Sequence, residues 1–493
     1  MKKLSLFFTL CAAIILQSCN QQTTNTNATD INTVSTRIGD LKFSHSFENG
    51  YPLDETVEIL YDEMDFQRAC QAYLWGLPLV SIAQWHDQHK TVFNAEDGDL
   101  VIYTTYKDKL GILTANVTTP YIFSFVDLSK SGPMVLELQA GLNASGILNQ
   151  WQYAVTDVGT LGPDQNKGGK YLVLPPNSDL EDVEGYFMVR MPTNVAWFAF
   201  RSLYPDREKA MEWIKSIQLY DYEEKDNPPA TKFIDAGSKD WSQVQPRGLE
   251  YWKLLADAIN NEVVQPHDRV TMASLKYLGI EKGKPFNPDE RQKKILEEAS
   301  IVGEAMAKAN SFEKRFEDAC YRKETHWKYV IMLDYTHETE NYHQLDEMAA
   351  YTYEAVGTSR GMATKIPGKG QAYLGAYKDS DGNWLDGSKS YSLHIPPNPP
   401  AANFWSITIY DVDTRCPIDN EQQIADKSSR MDLITNEDGS VDLYFGPEAP
   451  EGKEQNWIPT TPEQGFFAYL RLYGPEQLYF DRGWELPDMQ LVK

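Results

Sequence analysis

Basic charge is in short supply in this 493-residue chain: 46 Lys and Arg stand against 71 Asp and Glu, a formal net charge of −25. Such a surface repels nucleic acid and anionic lipid, and no basic run interrupts it, so nucleic-acid binding is excluded. Cysteine is scarce as well, with five in all. Cys11 and Cys19 fall in the leader region. Cys70, Cys320 and Cys416 remain, an odd number at wide spacing. That excludes a disulfide framework, although one pair can bridge in an oxidising compartment. No Cys-x-x-Cys or Cys/His ligand spacing exists, so neither a metal nor a cofactor is expected. Past residue 18 no apolar run is long enough to span a bilayer.

What is present starts with an export signal. Lys2 and Lys3 precede an apolar run from Leu4 to Leu16, broken only by Ser5 and Thr9. It is short of the ~20 residues of a spanning helix but suits a secretory leader. Leu16-Gln17-Ser18-Cys19 has the pattern of a lipobox, with Gln17 its weakest match. The expectation is a signal peptide over 1–18, cleavage before Cys19, and acyl chains on Cys19. Each buried methylene contributes ~0.8 kcal/mol, so several chains anchor stably to a membrane. Residues 19–45 are dominated at first by Asn, Gln, Thr and Ser and read as a flexible polar tether. No acidic cluster follows Cys19, which points to the periplasmic side of the outer membrane.

Behind the tether three regions are expected. Residues 46–205 read as an α+β N-terminal domain. Phe66, Ala69/Cys70, Tyr73/Leu74 and Leu77 recur at helical spacing after Asp65, a candidate N-cap, with a kink or break near Pro78. Short β-rich runs then alternate with Gly-Pro, Pro-Asn and Gly-Gly turns. Residues 206–365 read as a mainly helical middle segment, including a helical pattern over 329–353. Residues 366–493 read as an all-β, jelly-roll-like sandwich, with strict alternation over 404–411 and 465–473 and a turn at Asp438-Gly439.

Local motifs for chemistry are weak. Gly357-Thr-Ser-Arg-Gly361 fits the nucleophile-elbow pattern, but a helical stretch precedes it where a strand is needed. His86 and His89, and Glu340, His343 and Glu347, fall on helical faces; solvated surface explains them. Asp379-Ser-Asp-Gly-Asn383 resembles the start of a calcium loop, but loop positions 6 and 12 are Trp384 and Ser390. The strand faces say more. Phe466, Ala468, Leu470 and Leu472 share a core face, which leaves Phe467, Tyr469, Arg471 and Tyr473 opposite. Trp405, Ile407 and Ile409 likewise leave Ser406, Thr408 and Tyr410 opposite. An Arg between tyrosines suits cation–π packing, or recognition of a carboxylate or sugar.

The segments QAYLWGLPLV, TANVTTPYIFSFVDLSKSGPMVLEL, GPDQNKGGKYLVLPP and VRMPTNVAWFAFRSL resemble domain of unknown function 1254. AYKDSDGNWLDGSKSYSLHIP, FWSITIYDVDTR, NEDGSVDLYFGPEAPEGKEQNWIPT and FFAYLRLYGP resemble its usual partner, domain of unknown function 1214. The resemblance implies the same α+β and jelly-roll pair, but no settled reaction, cofactor or catalytic set. Many relatives carry Asn-Asp-Thr-Leu-Tyr. Asn116 and Tyr121 match that motif here, whereas its acidic residue is missing.

Together these readings point to a membrane-anchored envelope lipoprotein that binds a small molecule or saccharide in an interdomain cleft. The candidate ligand-binding residues are Asn116, Tyr121, Trp151, Tyr410, Arg415, Trp457, Tyr469, Arg471 and Tyr473. The rival is a hydrolase or lyase using a carboxylate or a Tyr/Arg pair in the same cleft; no catalytic residue is assigned.

Overall fold

A computed structural model describes residues 32–492; the leader, Cys19 and the start of the expected tether lie outside them. The chain divides into two compact units, one ending at Met64 and the other beginning at Asp65. In the first, β1 (Thr33–Thr36) and β2 (Gly39–Lys42) pair as an antiparallel hairpin. This corrects the expectation of a tether reaching residue 45. Gly39 takes a φ of +118° at the turn, where a side chain is disfavoured, and Leu41 supplies a buried apolar anchor.

Helix α1 (Asp54–Thr91) is continuous and contains Pro78, so neither the expected start at Asp65 nor the break near Pro78 occurs. Asp65 instead lies within the helix, where its carboxylate accepts from Arg68 at 3.0 Å and Arg291 at 2.9 Å. A proline inside a helix costs ~3 kcal/mol, but Leu77, Leu79 and Val80 around it are fully buried, and tertiary packing outweighs the lost bond.

The α+β region follows as β3 (Leu100–Tyr103), β4 (Tyr121–Asp127), the short α2 (Leu128–Ser131), β5 (Met134–Leu138), β6 (Ala144–Asn149), β7 (Ala154–Gly159), β8 (Gly169–Leu174), β9 (Tyr186–Arg190) and β10 (Val195–Arg201). Two strands from the middle segment, β11 (Gln218–Asp221) and β12 (Phe233–Asp235), complete its sheets. One sheet runs β12-β3-β4-β10-β6-β7 and the other β11-β5-β8-β9. Alternation along β4 sends Ile122 and Val126 into the core between the sheets, and Phe123 and Phe125 to the opposite face, against Ile82 and Trp85 of α1. The six-stranded sheet is therefore covered on both faces.

The middle segment supplies α3 (Arg207–Lys215), α4 (Leu249–Asn261), α5 (Arg269–Leu275), α6 (Glu290–Phe312), α7 (Leu345–Glu354) and α8 (Arg360–Ala363). The helix expected over 329–353 forms only from Leu345. Upstream, Asp334 caps the Thr336 N–H and Thr339 Oγ1 accepts from the Asn341 N–H, local bonds that compete with helix formation.

The C-terminal region is the expected sandwich: β13 (Lys328–Tyr329), β14 (Gln371–Ala376), β15 (Tyr391–Ile395), β16 (Ala401–Asp411), β17 (Asp426–Ser428), β18 (Val441–Gly446), β19 (Trp457–Pro459), β20 (Phe466–Pro475) and β21 (Gln490–Leu491). The sheets run β13-β14-β20-β16-β17 and β19-β18-β15-β21. Phe466, Ala468, Leu470 and Leu472 enter the core between them, together with Trp405, Ile407 and Ile409. The other face of β20 is covered too: Phe467 and Tyr469 cluster with Met348 and Tyr351 of α7. That cover places Arg471 in the protein interior. Asp379 takes the Asp381 and Asn383 N–H groups at 3.0 and 2.9 Å, a turn rather than a calcium loop. Cys320 and Cys416 are free thiols.

Candidate functional site: a cavity lined by arginines and tyrosines

A cavity of about 530 Å³ is walled by the α+β sheet, the 351–362 segment after the helices, and β14, β16 and β20 of the sandwich. That volume is within the usual range for small-molecule sites. Much of its wall is apolar, including Leu113, Phe123, Leu148, Trp197, Val330 and Phe404. Its charged groups are Asp157, Lys369 and three arginines; Lys369 and Arg430 are exposed, whereas Arg201 and Arg471 are drawn further in.

Arg471 projects from β20 and is 3 % exposed. It donates to Tyr410 Oη at 2.6 Å, the Thr114 carbonyl at 2.6 Å and Thr408 Oγ1 at 3.3 Å. Its guanidinium carbon lies 5.4–5.7 Å from the ring centres of Tyr469, Tyr410 and Tyr373. Arg201 ends β10 and is half-buried. It donates to Tyr121 Oη at 2.8 Å and Gln371 Oε1 at 3.0 Å, with its guanidinium carbon 4.6 Å from the Tyr121 ring centre. Among the described residues every one of these partners is neutral, and neither arginine makes an ion pair. Asp426 lies near enough to feel the charge of Arg471, but burial pushes its own carboxyl pKa up. Burial also raises Tyr410 to about 12 and Tyr473 above the ordinary phenol value, so both rings are neutral at physiological pH.

A buried charge without a counter-ion is costly; Arg471 is such a charge and Arg201 a half-buried one beside the same cavity. Two further donors are unsatisfied. Trp197 Nε1 and Ser145 Oγ are buried without a hydrogen-bond partner among the described residues, and both residues line the cavity. Asp157 also lines it, taking the Arg360 and Gly361 N–H groups at 3.2 Å each, with its pKa raised by burial.

The residues expected from sequence divide. Tyr121, Tyr469, Arg471 and Tyr473 line the cavity. Asn116 and Tyr410 form the layer behind it. Asn116 is fully buried, donates through its amide to Tyr473 Oη and Ser406 Oγ, and accepts the Thr119 N–H at 3.0 Å. Lys109 helps hold the same loop, donating to the Val117 and Thr119 carbonyls at 2.8 and 2.7 Å, and burial lowers its pKa to about 7. Trp151, Arg415 and Trp457 lie elsewhere. Trp151 packs on Trp75 with ring centres 4.7 Å apart. Arg415 is buried in a structural network, donating to the Tyr353 and Asp413 carbonyls and to Gln245 Oε1 at 2.7 Å. Trp457 Nε1 donates to the Gly446 carbonyl at 2.9 Å within the sandwich.

Sequence reasoning missed Arg201, Gln371 and Tyr373. Their signal was the same alternation used for β20: Trp197, Ala199 and Arg201 share one face of β10, and Gln371 and Tyr373 share one face of β14. Ser359 also lines the cavity, but a helix and the turn at Gly357 precede it, so the strand–turn–helix context of a nucleophile elbow is missing. His86 and His89, expected on solvated surface, are inside. His89 Nε2 meets Tyr103 Oη at 2.9 Å and the His86 ring stacks on Phe125. Burial lowers the pKa of both histidines.

Two family models match the chain. Residues 100–221 match a protein of unknown function (DUF1254) and residues 370–477 a protein of unknown function (DUF1214). The chain thus combines the two domains in that order. No curated protein matches it. Among solved structures, the VPA0106 protein from Vibrio parahaemolyticus is similar at a TM-score of 0.55 and 17% identity, over 87% of this chain and 100% of that one. A putative uncharacterized protein from Burkholderia cenocepacia aligns at a TM-score of 0.41 and 11% identity, over 89% and 97% of the two chains. The first of these shows a shared fold; the cavity chemistry is read from this chain's own residues.

Proposed function

We propose that this protein binds a small amphipathic carboxylate in the cavity between its two domains, the carboxylate meeting Arg201 and Arg471 and the apolar body lying along Leu148, Phe123 and Trp197. The observation that carries this reading is the pair of guanidiniums at the cavity wall with neutral partners only. A carboxylate there exchanges hydration for charge-assisted hydrogen bonds in a site of low polarity, where such bonds are strong. A free saccharide is the poorer fit. Much of the wall is apolar, and the two tryptophans among the expected ligand-binding residues, Trp151 and Trp457, do not line the cavity.

The test is a thermal-shift comparison of decanoate with decanol. Decanoate is expected to raise the unfolding midpoint, by a linkage stabilisation of ~2.7 kcal/mol at a hundred times its dissociation constant. Decanol, which lacks the charge, is expected to give little. The proposal falls if the two shift the protein equally, or if the decanoate shift survives in both Arg471→Met and Arg201→Met.

A catalytic reading draws on Asp157, whose raised pKa on the same wall suits a general acid. It predicts turnover of an ester or related derivative of the bound acid that Asp157→Asn abolishes while binding persists.

We also propose that the chain works at the cell envelope as a lipoprotein, held through acylated Cys19 on the periplasmic side of the outer membrane. No helix among the described residues is long and apolar enough to cross a membrane. Cys19→Ala is expected to move the protein to the soluble fraction; continued membrane association refutes the anchor.

A further inference from the structure

Away from the cavity, two chain segments far apart in sequence bring imidazoles together. His267 lies in the Pro266–Asp268 turn that leads into α5. Glu338 and His343 face each other across the turn 338–343, joined by an isolated β-bridge that Thr339 closes by taking the Tyr342 N–H and donating to its carbonyl. His343 Nδ1 is 3.4 Å from Glu338 Oε1. The His267 and His343 ring centres are 4.0 Å apart with the planes tilted by 43°. One ligand atom from each of the three side chains lies within 4.8 Å of the others.

We infer that His267, Glu338 and His343 form a binding site for a divalent transition ion of the zinc type. Two imidazoles and one carboxylate are the nitrogen and oxygen donors that zinc takes, at ~2.0–2.2 Å from the metal. Tetrahedral bonds of that length put donor atoms ~3.3 Å apart, so the Glu338–His343 pair is already at ligand spacing. The side chains of His267, Glu338 and His343 are 39%, 53% and 45% exposed, so their rotamers are free to close the remaining gap. The charge fits as well. Asp268 lies beside the site, its Oδ1 3.6 Å from His267 Nε2 and held by the Trp75 indole N–H at 2.9 Å. Glu338 brings a negative charge to the doubly charged ion, and Asp268 adds a second carboxyl group beside His267. Three protein ligands on an accessible surface leave a fourth position for water or an incoming group, the open form of zinc site.

The proposal departs from the expectation of no metal, which rested on local spacing. Glu340, His343 and Glu347 were grouped as a helical face, but 340–343 is a turn, and the partners of His343 come from positions 267 and 338.

The test is calorimetric titration of the intact, chelator-stripped chain with zinc chloride at neutral pH. One equivalent is expected to bind with a dissociation constant of ~10 µM or tighter. His267→Ala and His343→Ala are each expected to weaken it at least about tenfold, whereas His394→Ala, a histidine paired with Asp442 instead, leaves it unchanged. Cobalt is expected to give the visible absorption of a four-coordinate ion and to lose it in the His267→Ala protein. Zinc binding unaltered by the His267→Ala/His343→Ala double variant, or absent from the wild-type chain, overturns the site. Because these residues are exposed, circular dichroism of the variants is expected to match wild type.

Discussion

Arg471→Met tests whether the buried guanidinium is held for a ligand or for the fold. The substitution keeps most of the apolar stem and removes the charge. It loses two short bonds, to Tyr410 Oη and the Thr114 carbonyl. Hydrogen bonds to charged groups are each worth ~1.5–3 kcal/mol, so the loss is ~3–6 kcal/mol. Against that stands the relief of a buried cation that makes no ion pair, an effective penalty of several kcal/mol. Tyr410 Oη keeps its bond to the Ala115 carbonyl at 2.9 Å, so the deletion orphans little. The two terms nearly cancel, and Arg471→Met is expected to lie within ~2 kcal/mol of wild type in urea denaturation while losing the decanoate shift. Lys314→Met is the matched comparison. Lys314 is also buried, but it pairs with buried Glu354 at 3.3 Å and donates to Tyr377 Oη at 3.1 Å. Its removal strands a buried carboxylate and is expected to cost ~3–5 kcal/mol. If Arg471→Met destabilises the protein as much as Lys314→Met, the guanidinium is a structural member, and its lack of a carboxylate partner says nothing about a ligand.

Two further expectations concern the framework. Burial raises the Glu262 pKa from 4.5 to about 7, even though its carboxylate accepts the Asn194 and Val195 N–H groups at 2.7 and 2.9 Å. The folded state therefore holds more protons than the unfolded one between pH 4.5 and 7, and this group's contribution falls as pH rises through that window. Glu262→Gln removes the titration, so its stability deficit relative to wild type is expected to shrink by up to ~3 kcal/mol from pH 4.5 to pH 8; a deficit independent of pH refutes the assignment. Gly303 sits within α6, where Ala would ordinarily gain ~1 kcal/mol of helix propensity. A Cβ there would fall 2.6 Å from the Tyr73 ring, so Gly303→Ala is expected instead to destabilise by ~1–3 kcal/mol in urea melts, and a gain in stability would mean that the ring yields.

The amino-acid sequence by itself determined the order of the regions and the faces of the strands. Period-two alternation is a local property, so Phe466, Ala468, Leu470 and Leu472 could be assigned to one core face, and Arg471 to the other, without any knowledge of the partner strands. Helix ends were less legible. The packing around Pro78 that keeps α1 unbroken comes from distant segments, and the local bonds of Asp334 and Thr339 that delay α7 compete with an apolar pattern that favoured it. What only the tertiary structure decided is which polar groups meet. Trp151, Arg415 and Trp457 had the same residue chemistry as the true cavity lining but face other neighbours, whereas Arg201 and Tyr373, 172 positions apart in the numbering, come to share a wall with Arg471. His267 and His343 show the same thing at the surface. A cavity or a metal site is a set of convergent side chains, and convergence depends on how separate segments fold back on one another, which no local period encodes.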